Sequence, residues 1–197
     1  MKFAYEDMSD GQFETLIVLL CQRLLGAAVQ GFAKGPDGGR DAKFIGTAEL
    51  HPSKSGPWVG TTIVQAKHTN GYNRNFSESD FFSTTAANTV LGKEIPRIKK
   101  LREAKQLDHY MLFANRRLAG NAETEIREYI ASRCAVPASS IYLCGLEQLE
   151  IWLKRFPEVA KEADLDPVDS PLIVSPDDLA EVVQALARQK DGVVALL

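Results

Sequence analysis

The chain has 197 residues, of which 45% are hydrophobic and 25% are charged, with a net charge of −3. This apolar content is too high for a disordered protein, and no window approaches the roughly 18 uninterrupted apolar residues of a membrane span. Acidic residues stand where the basic and apolar parts of a signal peptide would lie. The composition therefore favours one globular domain of roughly 150 residues with an appendage.

The three cysteines lie far apart in the sequence, at positions 21, 134 and 144. They are too few and too scattered for a disulfide framework, and no CxxC pair or Cys/His group has zinc spacing. We therefore expect three small core residues in a reducing compartment, the cytoplasm.

Charge is distributed unevenly. Residues 93–117 hold 8 basic and 3 acidic residues, a net +5, whereas residues 118–197 hold 7 basic and 14 acidic residues, a net −7. The basic stretch is either a phosphate-binding face or a solvated helix surface. The acidic C-terminal part argues against nucleic acid that wraps around the whole chain.

The first predicted element is a helix that begins with a capping box formed by Ser9 and Gln12. Gly26 is placed to end this helix, and Glu14 lies beside its apolar stripe. The stripe has the i, i+3, i+4, i+7 spacing of a helix that buries one face: Phe13, Leu16, Ile17, Leu20, Cys21 and Leu24.

Three strands are predicted next, over residues 27–33, 41–48 and 61–67, and the second and third are expected to pair antiparallel. Residues 34–40 are predicted to form a turn, and residues 49–60, with two prolines and two glycines, are predicted to form a loop.

Helical sequence is predicted from about Ser77 to Gln106, with a break at Pro96. The later pattern alternates strand and helix, which predicts crossover connections onto one sheet and an α/β domain: strand 109–114, helix 121–133, strand 140–144 and helix 146–156.

Three parts are expected along the chain. Residues 1–163 form the main domain, residues 164–175, with two prolines and three aspartates, form a linker, and residues 176–197 form a helix and the start of a further element. The apolar last five residues suggest that this element continues in a longer protein.

The candidate catalytic residues lie in the segment from Gly35 to His68. Metal-dependent phosphodiester cleavage requires a carboxylate to hold the cation and a lysine near the phosphate or the attacking water. Gln65 and Lys67 lie two residues apart, so they leave the same face of a strand. If the strands pair, their ends bring Asp41 to the same place, beside a glycine-rich turn that permits close approach of a ligand.

The order of these motifs resembles a known family. Phe13-Glu14-Thr15-Leu16 lies on the first helix, GPDGGRD at 35–41 precedes a strand, and Val64-Gln65-Ala66-Lys67 ends the next strand. This order is similar to the Mrr-type restriction endonuclease branch of the PD-(D/E)xK nucleases, where Gln commonly replaces the acid of the second half-motif. The detailed match covers residues 13–68, and it implies a restriction-endonuclease-like mixed central sheet flanked by helices.

The resemblance implies a role for each matching residue. Asp41 would be the metal-ligating carboxylate, and Glu14 would add a further carboxylate. Gln65 would be a neutral oxygen donor, and Ala66 would offer its backbone carbonyl to the metal. Lys67 would position or activate the attacking water. The expected metal is Mg²⁺ or Mn²⁺.

Two questions about the site stay open at this point. Pro36-Asp37 also spells the PD motif, so Asp37 is a secondary candidate for the first acid. Candidate nucleic-acid contacts are weighed against a surface histidine and ordinary helix charges: Gly38, Gly39, Arg40, His68, Arg74, Lys99 and Lys100.

The sequence thus predicts a metal-dependent endonuclease that acts on DNA, with RNA as an alternative substrate. The resemblance implies the effector of a prokaryotic defence or restriction protein, a homo-oligomer, and a sensor domain beyond the C-terminus. Two alternatives are a decayed nuclease fold that binds nucleic acid or a partner without cutting, and an interaction domain in which residues 35–39 are only a turn.

Overall fold

The structure, a computed structural model, describes residues 3–32 and 40–165. Its centre is a five-stranded mixed sheet whose strands are neighbours in chain order. The strands are β1 (Gln30–Gly31), β2 (Ala42–Thr47), β3 (Val59–Lys67), β4 (His109–Ala114) and β5 (Ile141–Cys144). The pairs β1–β2 and β2–β3 are antiparallel, and β3–β4 and β4–β5 are parallel. The predicted α/β class, antiparallel pair and crossovers are confirmed.

Helices cover both faces of the sheet: α1 (Asp10–Leu25), α2 (Val90–Glu103), α3 (Gly120–Cys134), α4 (Leu146–Arg155) and α5 (Pro157–Glu162). Helices α1, α4 and α5 bury the face that carries Val64 and Ala66. Helices α2 and α3 bury the face that carries Ile63 and Leu112. Alternate residues of β3 therefore enter two separate cores, as the two-residue repeat of a strand requires.

Helix α1 begins and ends as the sequence predicts. The Ser9 hydroxyl accepts a hydrogen bond from the Gln12 amide, and the Gln12 side chain accepts one from the Ser9 amide. Gly26 ends the helix with φ of 125°, a backbone angle that glycine adopts without a Cβ clash. All six residues of the predicted apolar stripe are buried.

The predicted helix from Ser77 is wrong over its first part, because α2 begins only at Val90. Short polar side chains in residues 77–89 hold nearby backbone amides in turns. The Ser83 hydroxyl accepts from the amides of Thr85 and Ala86, and the Thr89 hydroxyl caps α2 at the Gly92 amide. Such local bonds compete with helical ones, which explains the late start.

The predicted break at Pro96 is also wrong, because α2 continues through this residue to Glu103. Pro96 is exposed, and because proline has no N–H, the carbonyl of Gly92 one turn earlier has no helical donor from this position. Burial of Leu91, Ile98 and Leu101 against the sheet holds the helix together on both sides of the proline.

The first predicted strand is much shorter than expected, since β1 comprises only Gln30 and Gly31. Residues 34–39 of the predicted turn lie outside the described residues. So do most of the predicted linker, residues 166–175, and the C-terminal part, residues 176–197.

One buried arginine anchors the long segment between β3 and α2. The Arg116 guanidinium forms a bidentate ion pair with Asp80, in which the shorter N–O distance is 2.6 Å. It also donates a hydrogen bond to the carbonyl of Asn75. Its central carbon, Cζ, lies 4.8 Å from the centre of the Phe81 ring. Asn115 exchanges hydrogen bonds with the backbone of Thr69. The segment is therefore tied to the end of β4.

Within residues 3–32 and 40–165, every helix is too short or too polar to cross a membrane.

Candidate functional site

The backbone of Asp41 is fixed between two other segments, just before β2 begins. Its amide donates to the Val64 carbonyl at 3.1 Å, and its carbonyl accepts from the Phe32 amide at 2.9 Å. This placement sets its carboxylate against β3. Oδ2 of Asp41 accepts from the side-chain amide of Gln65 at 2.5 Å and from the backbone amide of Ala66 at 2.6 Å. The structure therefore joins three of the predicted site residues.

Gln65 is almost completely buried, with 2% of its surface exposed. Its Nε2 donates to Asp41, whereas its Oε1 has no hydrogen-bond donor among the described residues. An unpaired buried amide oxygen is costly unless a donor or a cation occupies the space beside it. The oxygen that the resemblance assigns to metal or water is therefore the one left without a protein partner.

Lys67 projects from the same face of β3 as Gln65, two residues further along. Its Nζ lies 2.9 Å from Oε1 of Glu94, a residue of α2 that is 2% exposed. The same oxygen also pairs with Nη1 of Arg97 at 2.7 Å. The second carboxylate oxygen of Glu94, Oε2, is buried without a hydrogen-bond partner in the described part of the chain.

Tyr110 lies beneath this group on β4, on the face that α2 covers. Its hydroxyl is buried and, within the described ranges, also without a partner. Burial raises the pKa of Tyr110 strongly, and the charges of Glu94 and Asp41 raise this pKa further. Lys67 contacts Glu94, and Gln65 on the same face of β3 donates to Asp41, so these four side chains lie in one region of the structure. We call Asp41, Gln65, Lys67 and Glu94 the β3 cluster.

The β3 cluster offers hard oxygen donors. Among residues 3–32 and 40–165, no group of three or more His, Cys, Asp or Glu side chains is placed to hold a metal. Mg²⁺ usually needs only one or two carboxylates, because water and substrate phosphates fill its other positions. The carboxylate of Asp41 and the unpaired, buried Oε1 of Gln65 fit that requirement.

Glu14 is not joined to the β3 cluster. It is half-buried on α1, which packs on the opposite face of the sheet from α2. It follows Phe13, whose ring lies 5.7 Å from that of His68 just after β3. Within the described residues, Glu14 forms no hydrogen bond or ion pair with Asp41 or Lys67.

His68, a candidate contact for nucleic acid, is used for packing. Only 2% of its side chain is exposed, its Nε2 lies 2.8 Å from the carbonyl of Tyr5, and its Nδ1 lies 3.2 Å from Asp10. Both ring nitrogens therefore face protein atoms. Arg40 lies 5.5 Å from the centre of the Phe32 ring, and Gly38 and Gly39 lie outside the described residues.

The other predicted contacts are cations on the surface. Arg74 pairs with Glu78 and Asp80, so it serves the loop that Arg116 anchors. Lys99 and Lys100 are exposed on α2, and Lys99 lies 3.9 Å from Glu103.

Sequence reasoning missed Glu94, which occupies an apolar position of α2. Leu91, Ile98 and Leu101 form the buried side of this helix, and Glu94 falls on the same side one turn after Leu91. A carboxylate in the apolar stripe of an amphipathic helix is rare unless it is paired. This break in the pattern is the signal that could have identified it.

A scan against protein-family models and searches of curated proteins and of solved structures found no match.

Proposed function

We propose that this domain is a metal-dependent endonuclease that hydrolyses phosphodiester bonds in DNA. The observation that carries the proposal is the contact of Asp41 Oδ2 with both the Gln65 side chain and the Ala66 amide. It joins the two half-motifs at the end of β3, next to a lysine on the same face. The order Asp, Gln-x-Lys is the one for which the Mrr-type resemblance implies nuclease chemistry.

Each residue has a distinct role in this reaction. A bound Mg²⁺ or Mn²⁺ would polarise the scissile phosphate and lower the pKa of the attacking water. Asp41, with the Gln65 oxygen and the Ala66 carbonyl, would hold that ion. Lys67, whose side chain is 20% exposed, reaches solvent at the edge of the β3 cluster. Its ammonium N–H groups orient the attacking water and balance the negative charge that develops on the phosphate.

The test is a cleavage assay with two variants that preserve side-chain size. Supercoiled plasmid, linear duplex, single-stranded DNA and RNA are incubated with Mg²⁺ or Mn²⁺, with and without EDTA. We expect Asp41→Asn and Lys67→Met to slow cleavage about 100-fold or more. Glu103→Gln and Lys54→Met are the matched controls, because both residues are exposed and lie outside the β3 cluster.

The outcomes separate the substrates and the functions. Cleavage of RNA and of neither form of DNA would identify RNA as the substrate. Cleavage that persists undiminished in both Asp41→Asn and Lys67→Met would refute the assignment of the site.

A binding module without cleavage is the second candidate, and the neutral side chain of Gln65 favours it. An amide holds a divalent cation less strongly than a carboxylate does. Salt-dependent DNA binding with no cleavage under either metal would support this second function.

We also propose the wider setting that the resemblance implies. The domain would be the effector of a prokaryotic defence or restriction protein, it would act as a homo-oligomer because cutting a duplex takes two sites, and a regulatory domain beyond residue 197 would control it. Cleavage by a longer chain that responds to a signal, compared with this chain, tests that arrangement.

A further inference from the structure

Strand β3 itself supplies no acid to the β3 cluster. Asp41 reaches it from the neighbouring chain segment, and position 65, where the second carboxylate of the motif would stand, holds a neutral amide. A site with a single carboxylate binds Mg²⁺ weakly. The question is whether another element supplies the missing negative charge.

Helix α2 carries a carboxylate in the right place. Glu94 is buried to 2% exposure, lies on the helix that covers the Gln65 face of the sheet, and contacts the neighbouring Lys67. The hydroxyl of Tyr110, on the same face of the sheet, is likewise buried without a partner among the described residues. Moving a charged carboxylate from water into a protein interior is costly even where cations pair with it. The burial of Glu94 therefore calls for a function.

The two oxygens of Glu94 are used unequally. Lys67 and Arg97 both pair with Oε1, while Oε2 is buried without a partner among the described residues. The Oε1 of Gln65 is left in the same state. Both are buried oxygens on the face of the sheet that α2 covers, one charged and one neutral, and both are of the kind that a hard cation prefers as ligands.

We propose that Glu94 is the second carboxylate of the metal site, supplied by α2 in place of the acid that β3 lacks. This inference rests on the proposed function. Arg97, which is 49% exposed, then acts as a counter-charge that competes with the metal for Glu94.

Binding of Mn²⁺ to the folded protein tests this inference without cleavage. Free Mn²⁺ is titrated by electron paramagnetic resonance in the absence of nucleic acid. We expect Glu94→Gln to weaken binding about 10-fold or more, whereas Glu103→Gln, an exposed acid of the same helix, leaves it unchanged. Asp41→Asn reports on the site itself and is expected to abolish binding.

Arg97 gives a second test that leaves Glu94 in place. Because about half of its side chain is exposed, Arg97→Gln is expected to fold, and removal of the competing cation tightens Mn²⁺ binding about threefold. Lys93→Gln removes an equal positive charge from the exposed position directly before Glu94 and serves as the control. In the Glu94→Gln background, Arg97→Gln has no further effect.

The outcomes distinguish this inference from the proposed function. Loss of binding in Asp41→Asn with wild-type binding in Glu94→Gln overturns the role of Glu94 and leaves the nuclease proposal standing. Slower cleavage by Glu94→Gln with unchanged Mn²⁺ affinity has the same meaning, since Glu94 then only orients Lys67. If Glu94→Gln fails to fold, unchanged affinity in Arg97→Gln overturns the inference. A wild-type protein that binds no Mn²⁺ overturns both proposals.

Discussion

The carboxylate of Asp41 accepts a hydrogen bond from the side-chain amide of Gln65 at 2.5 Å. The amide can donate this bond, whereas a carboxylate at the same position could not. The glutamine therefore stabilises Asp41 in the absence of metal, while its other atom, Oε1, stays without a protein partner. A neutral amide at position 65 thus keeps Asp41 hydrogen-bonded while no metal is bound.

Gln65→Glu is expected to destabilise the protein without metal and to increase its response to metal. A buried carboxylate at position 65 would then face the Asp41 carboxylate in place of the amide that donates to it, which costs about 1–3 kcal/mol. Mn²⁺ would relieve the repulsion, so the metal-dependent rise in Tm exceeds that of the wild type. Thermal unfolding with and without Mn²⁺ measures both effects, and Gln106→Glu on the exposed loop after α2 is the control. An unchanged Tm without metal would contradict this account of Gln65.

Asp80→Asn is expected to lower the free energy of unfolding by about 3 kcal/mol, because it removes the nearer of the two carboxylates that pair with the buried Arg116 guanidinium and leaves only Glu78, at 3.8 Å. Glu147→Gln breaks the exposed pair with Arg117 and should cost less than about 1 kcal/mol. Urea unfolding at pH 7 compares the two variants. Equal effects would show that the Arg116 contacts do not hold the segment from Thr69 to Phe81.

The same ion pair predicts acid sensitivity. The hydrogen bond from Arg116 holds the pKa of Asp80 well below its usual range. The unfolded chain therefore takes up a proton first as the pH falls, and the stabilisation that is present above about pH 4 is lost below it. Urea unfolding between pH 2 and pH 5 should show a smaller loss of stability in Asp80→Asn than in the wild type. If the free energy of unfolding falls by the same amount in the wild type and in Asp80→Asn, protonation of Asp80 does not cause the acid sensitivity.

His51 predicts a second pH dependence, in a different range. Burial, with a smaller effect of His109, lowers the pKa of His51 from 6.5 to about 4, and its ring packs on Trp58 and Tyr142. Below pH 6.5 the unfolded state binds a proton that the folded state does not, so stability falls as the pH drops from 6.5 to 4, by about 2–3 kcal/mol.

Replacement with a ring that does not titrate isolates this effect. His51→Phe keeps the aromatic packing and is expected to reduce the fall in the free energy of unfolding between pH 6.5 and pH 4. If the wild type and His51→Phe lose stability equally over this range, then protonation of His51 does not oppose folding.

The three thiols should be unreactive in the folded protein. Burial raises the pKa of Cys134 to about 11 and that of Cys144 to about 12, and it raises the pKa of Cys21 as well. Alkylation depends on the thiolate, so iodoacetamide at pH 8 should label no cysteine natively and three in urea. Ser55→Cys, in an exposed loop, provides a reactive control. Rapid native labelling of Cys144 would disprove its assignment to the core.

Local patterns predicted those parts of the fold that depend on neighbours in the sequence. The capping box at Ser9 and the stripe of α1 are confirmed because residues within one helical turn determine them. The sequence predicts too early a start for α2, because side chains such as Ser83 and Thr89 form hydrogen bonds with the backbone that helix propensity does not reveal. Burial in the tertiary structure, not local sequence, carries α2 through Pro96.

The candidate site could be predicted in part for the same reason. Gln65 and Lys67 share a strand, and pairing of β2 with β3 brings Asp41 to them. Glu94 lies 27 residues after Lys67, and its contact depends on how α2 docks on the sheet. A charge at an apolar position marks a residue as unusual, but only the tertiary structure identifies its partner.

The Arg116 anchor has a consequence for the order in which the protein becomes complete. Glu94 reaches Lys67 from α2, and the segment that leads to α2 is held by an arginine that follows β4. A ribosome must therefore synthesise β4 and Arg116 before the segment that positions α2 is secured. Nascent or truncated chains that end between residues 95 and 115 lack this anchor, although they already contain Asp41, Gln65, Lys67 and Glu94. If the domain cuts nucleic acid, its assembly delays that activity until most of the sheet exists.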